Sequence, residues 1–124
     1  EHGSTYGGNP LACKVAIASL QILTDESLAA KAMELGEYFR NGLKNLNSPQ
    51  LKIVRGKVLL TAIVIDHANE NVAWNLCLQL KENGLLAKTM HGDNIRLAPP
   101  LVITKQQIDI CISIIEKSLK ALDD

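Results

Sequence analysis

The chain has 124 residues, 47% of them hydrophobic, and its 13 basic and 13 acidic side chains cancel to a formal charge of zero. One domain with a real core fits that length, which lies near the lower end of common domain sizes. Balanced charge offers no pull toward nucleic acid or an anionic membrane surface, and no apolar run reaches the ~18–20 residues of a membrane span. No signal peptide is visible, so an intracellular protein of the cytoplasm or mitochondrial matrix is expected.

The first eleven residues, Glu1-His2-Gly3-Ser4-Thr5-Tyr6-Gly7-Gly8-Asn9-Pro10-Leu11, make a polar, glycine-rich loop. Asn9 reads as a helix cap and Pro10 as a first-turn residue, where a missing N–H does no harm. A donor-rich loop feeding a helix N-terminus suits a phosphate; an ordinary glycine turn with a capped helix is the plain alternative. Ala12 to Leu23 carries apolar residues at helical spacing, and Thr24-Asp25-Glu26-Ser27 breaks it, offering Asp25 or Ser27 as the next cap. A second helix is expected from Leu28 to Leu46, with Met33, Leu35, Tyr38, Phe39, Leu43 and Leu46 available for burial. Asn47-Ser48-Pro49 ends it.

Leu51 to Ile65 is β-rich, with a bend expected at Arg55-Gly56-Lys57, and Asp66 to Asn71 is a polar loop. Val72 to Asn83 reads as a helix presenting Trp74, Leu76, Cys77 and Leu80 to the core, with Gly84 just past its end. Leu85 to Lys88 and Ile95 to Ala98 suggest two short strands around a turn at residues 90–94. Thr104 caps a last helix, Lys105 to Leu122, whose apolar face includes Ile108, Cys111, Ile112, Ile115 and Leu119. This order gives an α+β domain with a short antiparallel sheet covered by helices.

Cys13, Cys77 and Cys111 are odd in number, far apart and set in apolar runs, so buried free thiols are expected and zinc spacing is absent. His2, His67 and His91 stand in polar or turn contexts with no metal-ligand spacing. Arg96 is different: it sits in a short apolar strand shortly before Pro99-Pro100. Burying it requires an anion, either a structural ion-pair partner or a ligand carboxylate clamped bidentately.

Three separated blocks carry a resemblance. They are the opening eleven residues, Val54-Arg55-Gly56-Lys57-Val58-Leu59-Leu60, and Gly84-Leu85-Leu86-Ala87-Lys88 followed by His91-Gly92-Asp93-Asn94-Ile95-Arg96-Leu97-Ala98-Pro99-Pro100-Leu101. In this order they resemble the C-terminal portion of class III aminotransferases, which use pyridoxal phosphate, and most of all the members that act on ornithine. The resemblance implies a fold-type I transferase, with residues 1–26 as interdomain loop and helix and 27–124 as the small C-terminal domain. It implies transfer of the δ-amino group of ornithine to 2-oxoglutarate, giving glutamate semialdehyde and glutamate, in a homodimer or higher homo-oligomer. An acetylornithine or 4-aminobutyrate enzyme, or a non-catalytic fragment keeping the fold, are the alternatives.

By the same resemblance Arg96 binds the α-carboxylate of glutamate or 2-oxoglutarate, and pairs with a large-domain glutamate when ornithine is bound. Thr5, with Ser4 nearby, reaches the cofactor phosphate of the neighbouring subunit. The lysine that carries the cofactor precedes Glu1, so no catalytic residue is expected here and the chain alone is expected to be inactive. Arg55 and Lys57 match the family motif, and a solvated turn explains them equally well. Two departures stand out: Val58 replaces a usual glycine of Arg-Gly-x-Gly-Leu-Leu, and Thr89-Met90 replaces a common Pro-Thr. A valine is strained at Val58 if that position needs positive φ.

Overall fold

Asn9 starts the first helix: its side-chain oxygen accepts the Ala12 N–H at 3.1 Å, and Pro10 takes the first helical position. In the computed structural model, which describes residues 3–4, 7–66, 71–90 and 92–122, α1 spans Pro10–Asp25 and α2 spans Leu28–Lys44. Only Glu26 and Ser27 separate them. The chain reverses there by putting Ser27 in the left-handed region (φ 50), and its hydroxyl makes no capping bond. Asp25 is the last residue of α1, so of the two expected caps Ser27 takes the N-cap position of α2, through its backbone carbonyl rather than its hydroxyl.

Four strands follow, β1 Leu51–Lys57, β2 Leu60–Ile65, β3 Lys88–Thr89 and β4 Asn94–Leu97, with α3 Val72–Glu82 between β2 and β3 and α4 Lys105–Lys120 at the end. They form one antiparallel sheet in the order β1-β2-β4-β3. Helices α2, α3 and α4 cover one face. Ile63, Ile65, Ile95 and Leu97 of the sheet meet Phe39, Leu43, Leu76, Leu80, Ile108, Ile115 and Leu119 of the helices in the main core. Each such aliphatic side chain, fully buried, stabilises the fold by about 1.5–3 kcal/mol. The α+β expectation holds.

Local chemistry explains the element ends. Thr104 and Gln107 form a reciprocal capping box at α4: the hydroxyl accepts the Gln107 N–H at 3.2 Å and the Gln107 amide oxygen accepts the Thr104 N–H at 2.9 Å. Gly84, at φ 90, closes α3 as expected. Its N–H reaches the Lys81 carbonyl at 3.0 Å and the Leu85 N–H reaches Leu80 at 2.8 Å, the two bonds of a Schellman motif. That motif occupies Leu85. The strand expected from Leu85 therefore starts only at Lys88, and its partner covers 94–97 rather than 95–98.

The β1–β2 reversal is not at Arg55-Gly56-Lys57 but one step later, at Val58 and Leu59, because all three of those residues pair with β2. Val58 takes φ 55, and its carbonyl accepts a hydrogen bond from the Arg40 guanidinium of α2. Positive φ at the first central residue of a two-residue hairpin favours glycine. Relief of left-handed strain, about 1–2 kcal/mol, outweighs the 0.5–1 kcal/mol of chain entropy that glycine adds to the unfolded state. Val58→Gly is expected to stabilise the domain by about 0.5–1 kcal/mol, read as a rise of a few degrees in Tm. A lower Tm would show that packing around the valine side chain dominates.

Three burial expectations are overturned. Met33 and Trp74 are 64% and 57% exposed, and Cys13 is exposed. Met33 and Trp74 lie on helix faces turned away from the sheet, and Cys13 belongs to α1, none of whose residues is buried. Cys77 is buried and Cys111 half-buried, and burial pushes both thiols up from their ordinary range.

Candidate carboxylate-binding site

Side chains alternate along a strand, so the residues flanking the buried ones face away from the helices. On β2 Thr61, Ile63 and Ile65 are buried while Leu60 is exposed, and on β4 Ile95 and Leu97 are buried while Arg96 is exposed. Arg96 therefore stands on the open face of the sheet. The strand is apolar on the core side only, so within the described residues Arg96 is exposed and no desolvation cost forces a partner on it. Among the described residues no carboxylate forms an ion pair with it.

Register fixes its neighbours. Arg55 on β1 is opposite Ala62 on β2, Ala62 is opposite Arg96 on β4, and Arg96 is opposite Lys88 on β3. Directly opposed residues share a face, so the row Arg55–Ala62–Arg96–Lys88 runs across the whole sheet. The methyl group of Ala62 leaves a gap beside Arg96. The result is a shallow concavity of about 440 Å³, lined by Arg55, Gly56, Leu60, Thr61, Ala62, Met90, Asn94 and Arg96. Arg55 reaches across it, and its Nη2 donates to Asn94 Oδ1 at 2.8 Å. The arrangement is a cationic, partly apolar hollow, chemically suited to an organic anion.

Arg55 thus belongs to the site, although its motif alone is equally compatible with a solvated turn; the signal for it is Val54, whose inward face turns Arg55 outward. Lys57 ends β1 in exposed surroundings outside this hollow. Lys88 lies in a family motif that gives it no role of its own, and only the pairing of β3 with β4 brings it beside Arg96.

The opening loop is a separate feature. Ser4 is exposed, and its Oγ accepts the Gly7 N–H at 3.0 Å, a local turn bond. No acidic residue occupies the first turn of α1, so Asn9 caps the positive end of that helix with a neutral oxygen. Thr5 lies outside the described residues, as do His2, His67 and His91. Among the described residues no cluster of three His, Cys, Asp or Glu side chains suits a metal ion, and no helix is long and apolar enough to cross a membrane.

The model of the aminotransferase class-III family matches residues 1–119. The chain belongs to that family. It is 53% identical over 122 residues to the mitochondrial ornithine aminotransferase of Drosophila melanogaster, an alignment that covers 98% of this chain and 28% of that protein. Among solved structures, an acetylornithine aminotransferase from Elizabethkingia anophelis superposes with a TM-score of 0.90 at 54% identity, covering 98% of this chain and 32% of that one. The Plasmodium falciparum ornithine δ-aminotransferase superposes with a TM-score of 0.90 at 46% identity, covering 100% and 32%. The chain spans about 28% of the length of the curated relative it matches. Class III aminotransferases depend on pyridoxal phosphate, and the four helices and small antiparallel sheet form an aminotransferase domain.

Proposed function

We propose that this chain is the small C-terminal domain, with its connecting loop and helix at residues 1–26, of an ornithine δ-aminotransferase. The whole enzyme moves the δ-amino group of ornithine to 2-oxoglutarate. The observation that carries this reading is Arg96, exposed on the open sheet face, unpaired among the described residues and lining a hollow with a second arginine. Its planar fork clamps the α-carboxylate of glutamate or 2-oxoglutarate and fixes the substrate's orientation. With ornithine bound, Arg96 turns to a glutamate of the large domain.

The residues at the head of α1 fit the cofactor's phosphate. Ser4 supplies a hydroxyl, and the helix end is positive without an acidic residue in its first turn. Thr5 and Ser4 would hold that phosphate, reaching across to the neighbouring subunit of a homodimer. When bound, pyridoxal phosphate supplies the electron sink for the amino-group transfer, and the protein supplies orientation and charge. The lysine that carries it lies outside this sequence, so the 124-residue chain by itself is inactive. The mitochondrial relative supports an intracellular site of action, in the matrix or the cytoplasm.

The 54% identity to an acetylornithine aminotransferase keeps one second reading in play. Steady-state assays of the full-length enzyme with ornithine and with acetylornithine separate the two. Ornithine with 2-oxoglutarate is expected to give glutamate and glutamate semialdehyde at the higher kcat/KM; a preference for acetylornithine would reassign the substrate. In the same enzyme Thr5→Val is expected to weaken cofactor binding about tenfold or more, as loss of a hydroxyl donor to a charged phosphate should.

A further inference from the structure

Arg96 has more positive charge around it than one carboxylate needs. Lys88 is its directly opposed neighbour on β3, on the same face, which brings their Cβ atoms within about 5 Å. From the other side Arg55 leans over Ala62 to hold Asn94, two residues before Arg96 on the same face of β4, so its guanidinium lies about 7 Å along the strand from the root of Arg96. Among the described residues none of the three cations has a carboxylate partner. Like charges set side by side across strands destabilise a sheet, and an anion in the hollow reverses that repulsion.

From this geometry we propose that Arg55 and Lys88 are specificity-determining residues that bias the Arg96 site toward a dianionic oxo acid and against a substrate carrying an extra ammonium group. The inference rests on Arg96 being the carboxylate anchor. Neither flanking cation has to touch the substrate. A unit charge about 7–10 Å away in a half-solvated site changes binding by a few-fold, and attraction grows with the ligand's second negative charge. Arg55 also shapes the site directly, because its hold on the Asn94 amide oxygen fixes the wall of the hollow between β1 and β4.

The test uses the full-length enzyme with Lys88→Met, Arg55→Met, the double variant and the conservative pair Lys88→Arg and Arg55→Lys. Each methionine variant is expected to raise KM for 2-oxoglutarate about three- to tenfold, while KM for ornithine stays level or falls. The ionic-strength dependence of kcat/KM for 2-oxoglutarate should flatten in the double variant, and the conservative variants should recover most of the loss. A merely structural role would raise both KM values together and leave the salt slope alone, and that result overturns the proposal. Lys88 is exposed on a two-residue edge strand, so Lys88→Met carries the test even if Arg55→Met disturbs folding. An unchanged KM for 2-oxoglutarate and salt slope in Lys88→Met, beside a damaged Arg96→Lys enzyme, sinks this proposal alone. If Arg96→Lys is itself harmless, the carboxylate anchor falls and the specificity role falls with it.

Discussion

Replacing Arg96 by lysine in the full-length enzyme is expected to slow the 2-oxoglutarate half-reaction by roughly 30- to 1,000-fold, a loss of about 2–4 kcal/mol in transition-state stabilisation. Lysine keeps the charge but presents a point donor where the carboxylate needs two parallel N–H groups. The neighbouring cations hold the total potential of the hollow nearly constant, so the change isolates geometry from charge. The ornithine half-reaction should suffer less if, as proposed, the arginine is then turned to the large domain. Single-turnover measurements of each half-reaction check this, and equal losses in both would remove the division of roles assigned to Arg96.

The second large effect is on stability. Gly36, in the middle of α2, is buried against the β1–β2 hairpin, and a Cβ built on it would overlap the Val58 carbonyl. That carbonyl cannot move aside cheaply: the Arg40 guanidinium already holds it, and Val58 is already at positive φ. Gly36→Ala is therefore expected to destabilise the domain by about 3 kcal/mol, seen as a large drop in the urea midpoint. Gly42 provides the control. A Cβ there meets only the far end of the Ile112 side chain, which can rotate away, so Gly42→Ala should lose about 1 kcal/mol or less. If Gly36→Ala were as mild as Gly42→Ala, the hairpin would not be seated on α2 as described.

How much of the fold and site is legible in the residues depends on the range of the interaction. Caps are local: Asn9, Thr104 and Gly84 each satisfy backbone groups within a few residues, and all three act as their neighbours imply. The turn at Val58 is not marked by residue type, since valine carries no turn signal; only the motif glycine it replaces hints at the positive φ, and strand pairing with docking against Gly36 and Arg40 holds it there. Apolar residues at helical spacing mark α2 and α3 correctly, yet Met33 and Trp74 face outward because periodicity names a stripe without its width. Arg96 stands out by its type and setting. Its company does not, since Arg55 and Lys88 lie 41 and 8 residues away and meet it only through strand register.

Helix α1 bears on how this polypeptide behaves in a tube. Leu11, Val15, Ile17, Leu20, Ile22 and Leu23 are all exposed, at angles spread over most of the helix circumference, while the main core takes no residue from it. The residues that hold the main core together all follow Ser27, whereas α1 adds a run of exposed apolar surface within sixteen residues. A protein cut before Ser27 is expected to keep the main core and shed six exposed apolar side chains, at the cost of the α1 contacts with α2.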